Sequence, residues 1–202
     1  MEKAEENEID FAQVLYKKVK TTMQARYYSS AFYEIRDQYS IASQGFLSAY
    51  IIIINFLPSG VMAPHIITFA TIALSILMLV LSQIESHRGY KLLASRLHNC
   101  GKELRILETE LQKIIHKKGK QSHGDEKLLD DILTNYNHIL SKYQENHNIV
   151  SYQKVLSQID RNNFSFLSRQ YISIKYLLMP RLMYILLIFI PPISIIILYI
   201  IK

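Results

Sequence analysis

The chain has 202 residues, half of them hydrophobic, with 23 Lys and Arg against 17 Asp and Glu. Its mean hydropathy of +0.08 conceals an uneven distribution, because the segments 41–57, 61–84 and 182–201 contain no charged residue. Such a distribution is not typical of a soluble globular domain. The single cysteine, Cys100, excludes an intrachain disulfide framework and a cysteine-rich zinc site. Six glycines are too few for a long Gly-rich phosphate loop, so an enzyme is not the expected class of protein.

The first predicted element is an amphipathic helix within residues 1–40, which leads toward the first uncharged segment. Residues 11–39 contain no Pro or Gly and recurrent apolar residues. Tyrosines at positions 27, 28, 33 and 39 with Arg26 and Arg36 suit a membrane interface, where aromatic rings and basic heads are both well placed. A helix that packs on another helix of the chain fits these residues equally well. The acidic start, far from the first apolar run, makes a cleaved signal peptide unexpected.

The segments 41–57 and 61–84 predict a transmembrane helical hairpin over residues 41–84. At about 1.5 Å per residue they give helices of roughly 26 and 36 Å, against a hydrocarbon core of about 30 Å. The intervening Pro58-Ser59-Gly60 predicts a tight turn. Residues 1–40 hold six Lys and Arg, residues 85–181 hold sixteen and the turn holds none. The positive-inside rule therefore places both flanks in the cytoplasm and predicts a multi-pass protein of the cell membrane.

Polar residues form a stripe on each of the two predicted spans. Gln44, Ser48 and Asn55 lie within about 40° on the first helix, and Thr68, Thr71, Ser75 and Ser82 lie within about 60° on the second. These seven residues and His65 are the candidate site residues. They can serve hairpin packing, or line a hydrated path formed by several protomers, with Asn55 and His65 near its outer end.

The region 85–181 is predicted to be a cytoplasmic helical region. A heptad seam comprises Leu93, Leu97, Cys100, Leu104, Leu107, Leu111 and Ile114, and its phase extends upstream through Tyr90 and Ser86 as one rigid helix from the second span. After a loop at 117–124, a second apolar side comprises Leu129, Ile132, Tyr136, Ile139, Leu140, Tyr143 and His147. In a parallel homodimer Glu103 would approach Glu108, so antiparallel packing within one chain is favoured over a seam between protomers. Residues 150–159 predict a short helix, 160–163 a break, and 164–179 an aromatic approach to the last segment.

The third uncharged segment, 182–201, is predicted to be a kinked span. Pro191 and Pro192 remove two backbone donors where lipid offers no substitute. A re-entrant element, or a helix covered by its neighbours, is an alternative. The predicted fold class is therefore an all-α membrane protein with a helical hairpin, a cytoplasmic antiparallel bundle and a C-terminal hydrophobic helix.

Catalytic and metal-binding patterns are not found in the sequence. No histidine pair has the spacing of a metal site, and no turn motif presents a nucleophile. We expect no catalytic residue, no cofactor and no bound metal. The lysines at 117–120 are read as a solvated loop, so no direct binding of nucleic acid is expected.

Several segments carry a resemblance to a known family. Ala25-Arg26-Tyr27-Tyr28, the uncharged hairpin, residues 86–104 and Tyr143-Gln144-Glu145-Asn146-His147 together look like the SLATT group of two-transmembrane effector domains, in a branch with an additional C-terminal hydrophobic segment. The resemblance implies an effector of prokaryotic antiviral defence that forms pores or disrupts the membrane. It further implies a trigger from a nucleotide second messenger or a partner defence enzyme, and death or dormancy of the infected cell. The expected partners are thus the lipid bilayer, further copies of the chain and that signalling system.

Two other functions stay open from the residues alone. The first is a non-conducting membrane scaffold that recruits a soluble enzyme through its cytoplasmic helices. The second is an enzyme acting on lipid, which lacks a nucleophile motif, a metal set and paired inward carboxylates.

Overall fold

The computed structural model of the protein describes residues 2–56, 63–116 and 124–201, and within these residues it contains helices and no strand. The helices are α1 (Glu2–Asn55), α2 (Pro64–Arg88), α3 (Tyr90–His116), α4 (Gly124–Lys142), α5 (Ile149–Ile159), a 3₁₀ helix (Arg161–Asn163), α6 (Phe166–Leu178) and α7 (Leu182–Ile201). The predicted short helix at 150–159 and the break at 160–163 are confirmed, and the predicted aromatic approach at 164–179 contains α6. The predicted turn at 58–60 and residues 117–123 of the predicted loop lie outside the described residues.

Helix α1 joins two elements that the sequence separated at residue 40. Its 54 residues contain no proline, and its one glycine, Gly45, is followed at once by apolar residues of high helical or neutral propensity. Because no breaker lies near residue 40, the N-terminal part and residues 41–55 of the first uncharged segment form one uninterrupted helix.

The prediction of one rigid helix from the second span into the heptad seam is corrected at Gly89. Helix α2 begins at Pro64, whose fixed φ suits the first helical position. It ends at Gly89, which has φ 53° and ψ 45° and donates its backbone N–H to the Glu85 carbonyl at 3.2 Å. This left-handed conformation is a common helix C-cap and is accessible to glycine at little steric cost. Helix α3 therefore starts anew at Tyr90.

The chain divides into two compact units. Unit 1 comprises Met1–Phe32 and Leu92–Tyr176, and unit 2 comprises Tyr33–Lys91 and Leu177–Lys202.

The core of unit 1 is built from one face each of α1, α3 and α4. Its buried members are Ala12, Leu15, Val19, Met23, Cys100, Leu104, Leu107, Leu111, Leu129, Ile132, Tyr136 and Ile139. The α3 members follow the four-three spacing of the seam, and the α4 members follow that of the second apolar side, as expected for helices that bury one stripe. The ion pairs Lys142–Glu103 and Arg96–Glu145, both 2.6 Å, follow the order of an antiparallel pair.

Helix α5 and residues 166–176 of α6 complete unit 1. The Asn148 side chain caps α5 by accepting the Val150 N–H at 2.8 Å, and its own N–H donates to the Ser29 hydroxyl at 2.9 Å. Tyr176 of α6 packs edge-on against Tyr28 at 5.6 Å between ring centroids and donates its hydroxyl to the Tyr28 carbonyl at 2.8 Å.

Unit 2 contains the C-terminal part of α1, helix α2 and helix α7. Helix α7 keeps Pro191 and Pro192 in its interior. Pro192 has no N–H to offer to the carbonyl four residues earlier, which is that of Ile188. The Tyr50 hydroxyl of α1 donates to this carbonyl at 2.8 Å. A neighbouring side chain thus supplies a donor that the proline removes.

By length and composition, one stretch of described helix, Pro64–His116, contains a segment that is long and apolar enough to cross a membrane. This stretch comprises α2 and α3, which Gly89 separates. Phe166–Leu178 and Leu182–Ser194 would supply a second if they are taken together as one broken span. The first predicted span, 41–57, is not among these, because Gln44, Asn55 and several small polar residues dilute its described part.

Candidate functional site

The candidate site is the pair of polar stripes in unit 2. Most of its hydroxyls donate to the carbonyl one helical turn earlier: Ser48 to Gln44 at 2.9 Å, Thr68 to Pro64 at 3.0 Å and Ser75 to Thr71 at 2.8 Å. Such bonds satisfy a hydroxyl without a second helix. These residues can therefore tolerate an apolar environment in a single protomer.

Three of the stripe residues take part in contacts between α1 and α2. The Asn55 side-chain amide donates to the Ile51 carbonyl at 2.7 Å and to the Thr71 hydroxyl at 3.2 Å. The Ser48 hydroxyl lies 3.4 Å from the Met78 sulfur. Asn55 and Thr71 are thus brought together.

The remaining stripe residues are placed differently. The Gln44 amide donates to the Ser40 hydroxyl at 3.4 Å, on its own helix. The side chains of His65 and Ser82 are exposed and form no hydrogen bond with another described residue. Thr68, Ser75 and Asn55 are also exposed, whereas Gln44, Ser48 and Thr71 are half-buried. The polar stripe of α2 therefore faces largely outward from the chain.

A polar cluster at the end of α2 was missed by the sequence reasoning. Tyr184 of α7 is 1% exposed and donates its hydroxyl to the Glu85 carboxylate at 2.5 Å, while Arg36 of α1 donates to the same hydroxyl at 3.5 Å. The Arg36 guanidinium also lies 4.7 Å from the Tyr90 ring centroid, and Tyr33 stacks on that ring at 5.8 Å. The cluster ties α1, α2 and α7 together with a carboxylate, a phenol and a guanidinium. The only signal available in the sequence was that Glu85 is the first charged residue after the apolar segment.

Arg26, predicted to lie at a membrane interface or on a packed helix, is buried in unit 1. It is 4% exposed, and its Nε and Nη1 atoms find no hydrogen-bond partner among the described residues. Burial lowers the pKa of His147, and the positive charge of Arg26 lowers it further, so the imidazole is neutral at pH 7. The packed-helix alternative is the one that this burial favours for Arg26.

A groove of about 460 Å³ opens beside His147, between α1, α4 and α5. Lys17, Lys18, Thr22 and Tyr136 contribute to its lining. Lys17 forms an ion pair with Asp160 at 3.0 Å, and Lys18 lies over the Tyr136 ring at 5.2 Å. Two ammonium groups and several hydroxyls give the groove the chemistry to accept an anion or an acidic protein segment.

Metal-ligating residues are not clustered in the part of the chain that the structure describes, where no group of three or more His, Cys, Asp or Glu side chains could hold an ion. Cys100 is buried in the unit 1 core, and burial raises the pKa of its thiol, which keeps it protonated and unreactive.

The comparison with protein families agrees with the resemblance drawn from the sequence. No match was found among curated proteins or among solved structures. Residues 9–200 match the SMODS and SLOG-associating 2TM effector domain family 5, whose description and the apolar helix α2 both indicate a membrane protein. That match covers nearly the whole chain, and so the protein belongs to this family of two-transmembrane effector domains.

Proposed function

We propose that the protein is a membrane effector of prokaryotic antiviral defence, which forms a pore when a partner signalling system is triggered and thereby causes death or dormancy of the infected cell. The observation that carries the proposal is the outward-facing polar stripe on the otherwise apolar helix α2. Thr68, Ser75 and Ser82 are exposed on that helix beside large apolar side chains.

The energetics of a polar stripe depend on what covers it. A hydroxyl bonded to its own helix tolerates lipid, but Asn55 uses both N–H donors in its contacts with Ile51 and Thr71, and these contacts leave its side-chain carbonyl oxygen unsatisfied. Polar groups in membrane helices face the bundle interior or water far more often than lipid. Copies of the chain that associate through these stripes would remove them from lipid, and water would enter between them when the assembly opens.

In this proposal residues 41–57 and α2 form the two spans, with the N-terminal flank and the region 85–181 in the cytoplasm. The distribution of Lys and Arg in the sequence supports that orientation. The broken pair α6 and α7 would brace the assembly or contribute to it.

The trigger would reach unit 1, either as a nucleotide second messenger or as contact with a partner enzyme. The groove beside His147 supports an anionic input, because Lys17 and Lys18 lie in its wall. A ligand opens a pore of this kind only if it binds the open state more tightly than the closed state.

The proposal is tested by dye release from proteoliposomes at a high ratio of protein to lipid, which favours association without the trigger. We expect the wild-type chain to release a small dye, and the variant Asn55→Leu/Thr71→Val/Ser75→Ala to lose most of that release, since an apolar path does not hold water. In cells, induced expression should depolarise the membrane with the wild-type chain and not with the variant.

Ser43→Ala is the matched control, because Ser43 lies in the same uncharged segment but is 1% exposed and donates to the Ser40 carbonyl. It should leave release unchanged. A scaffold that recruits a soluble enzyme would show no release with any of these chains, and the triple variant would keep its biological activity. That result would contradict the pore.

A further inference from the structure

Helix α6 has an exposed apolar face as well as a buried one. Leu167, Tyr171, Ile174 and Leu178 are 78%, 66%, 54% and 42% exposed, and their spacing of four, three and four places them within about 60° on one side. On the opposite side Ile172 and Tyr176 are buried. Helix α6 therefore has two apolar sides, one packed inside the chain and one that no other described part of the chain covers.

The charge around this face has one sign. Beyond Asp160 the sequence contains Arg161, Arg169, Lys175, Arg181 and Lys202 and no Asp or Glu. No ion pair among the described side chains involves Lys175, which lies at the edge of the exposed face, whereas Arg169 lies on the side of the buried Tyr176. A short helix with an apolar face and only basic charges suits the surface of an anionic bilayer, where the apolar side chains enter the acyl boundary and the basic groups meet the headgroups.

The hydrophobic helix α7 follows α6 almost directly in the chain. Only residues 179–181 separate α6 from α7, the third uncharged segment. A groove of about 640 Å³ between α5 and α6 adds Phe164 and Lys175 to the side of the exposed face, so an apolar wall and an ammonium group lie together there. Lysine stems of this kind lie along apolar surface while the charged end reaches the headgroups.

We propose that α6 is an interfacial helix, which docks its Leu167–Tyr171–Ile174–Leu178 face onto the surface of a bilayer rich in anionic lipid. The inference rests on the proposed function in that α7 is taken to lie in the membrane. Docking would hold the end of unit 1 at the membrane surface and make its position sensitive to the charge of the lipid.

The test uses tryptophan fluorescence, because the chain has no tryptophan of its own. Leu167→Trp reports on the α6 face, and Leu128→Trp, at a 42% exposed leucine of α4 in the same unit, is the matched control. Each full-length chain is reconstituted into vesicles of phosphatidylcholine and phosphatidylglycerol, with bromine atoms placed on the acyl chains either near the carbonyl or near the methyl end. We expect quenching of Leu167→Trp by the shallow bromines and a blue-shifted emission, and neither for Leu128→Trp.

The basic residue beside the face is tested in the Leu167→Trp background. Lys175→Gln should lower the ratio of docked to undocked helix on these vesicles roughly five-fold, as expected from about 1 kcal/mol for a basic group near an anionic surface. Lys113→Gln removes the same charge from α3 and should not change the ratio. Vesicles of phosphatidylcholine alone should also lower the ratio.

Three results would overturn the inference. Emission of Leu167→Trp that matches Leu128→Trp would mean that the face stays in water. A blue shift without quenching would mean that protein covers the face, such as a second copy of the chain. Quenching mainly by the deep bromines would mean that α6 crosses the bilayer with α7. A chain that does not float with the vesicles contradicts the membrane proposal itself, whereas a floating chain with unquenched Leu167→Trp contradicts the docking alone.

Discussion

Single residues in unit 1 show how polar groups stabilise a mainly apolar helical core. The Glu103 carboxylate accepts hydrogen bonds from the Lys142 ammonium at 2.6 Å and the Tyr143 hydroxyl at 2.8 Å. The hydrogen bond from Lys142, with that from Tyr143, holds the pKa of Glu103 below its ordinary value. These contacts were not predicted, because the seam analysis considered Glu103 only as an obstacle to a parallel dimer.

The lowered pKa of Glu103 predicts a pH-dependent contribution to stability. A carboxyl whose folded-state pKa lies below its unfolded value of about 4.3 stabilises the fold fully above that value and loses this contribution as the pH falls through the folded pKa. We expect Glu103→Gln to lower the melting temperature near pH 7 in detergent, and the difference from wild type to vanish in acid. Thermal unfolding across this pH range measures the effect.

Glu110→Gln is the control, because Glu110 forms no ion pair with a described side chain. Its melting temperature should follow that of the wild type at every pH. A difference for Glu103→Gln that persisted in acid would show that the substitution acts through packing and not through the charge.

At the scale of elements, a glycine cap and a hydrogen bond between helices shape unit 2. The left-handed Gly89 ends α2 and lets α3 begin, and the Tyr50 hydroxyl compensates the Ile188 carbonyl for the missing N–H of Pro192. The glycine cap depends on one residue alone. The hydrogen bond joins two helices and makes the proline-containing α7 depend on α1 for a donor.

The conformation of Gly89 predicts an ordering of substitutions. A Cβ atom at this position meets no other atom within 4 Å, so any cost comes from the backbone conformation. Gly89→Ala should destabilise the chain by about 1–2 kcal/mol, whereas Gly89→Asn should cost less because asparagine visits the left-handed region more readily. Thermal or denaturant unfolding of the two variants in detergent compares them. Equal losses would indicate that Gly89 matters for packing and not for its φ.

At the scale of the whole molecule, the distribution of exposed apolar side chains separates this protein from a soluble helical bundle. Phe69 is 73% exposed and Leu79 is 64% exposed on α2, and on α7 Phe189 is 57% exposed. Soluble monomers rarely expose contiguous apolar surface of this extent. In unit 1, by contrast, the apolar stripes of α1, α3 and α4 face one another.

This contrast predicts how the purified chain behaves. We expect it to stay monodisperse in detergent or lipid nanodiscs and to aggregate when the detergent is removed, because the apolar surface of α2 and α7 then contacts water. Size-exclusion chromatography with light scattering before and after detergent removal measures the change. A monodisperse chain in detergent-free buffer would refute the assignment of the uncharged segments to lipid.

The sequence by itself determined three things about this protein. The distribution of charged residues determined the three uncharged segments, and the helical periodicity determined the helical class and most of the unit 1 core. Leu97, Leu104 and Leu111 are buried because a spacing of four and three residues returns a side chain to the same face, whatever the partner. The likeness to a family of two-transmembrane effectors was also readable from the chain and is confirmed by the match over residues 9–200. In the candidate site, the helix that carries each polar residue was predictable in the same way.

The tertiary structure alone decided which partners these residues meet. Asn55 pairs with Thr71, and Tyr184 meets Glu85, although 99 residues separate the second pair along the chain. It also decided that Arg26 is buried while Val14, part of an apolar pattern, is 58% exposed. Helical periodicity specifies which face of a helix a residue occupies, but contacts between helices depend on how those faces pack in three dimensions, and that arrangement is not written in the spacing of residues along one helix.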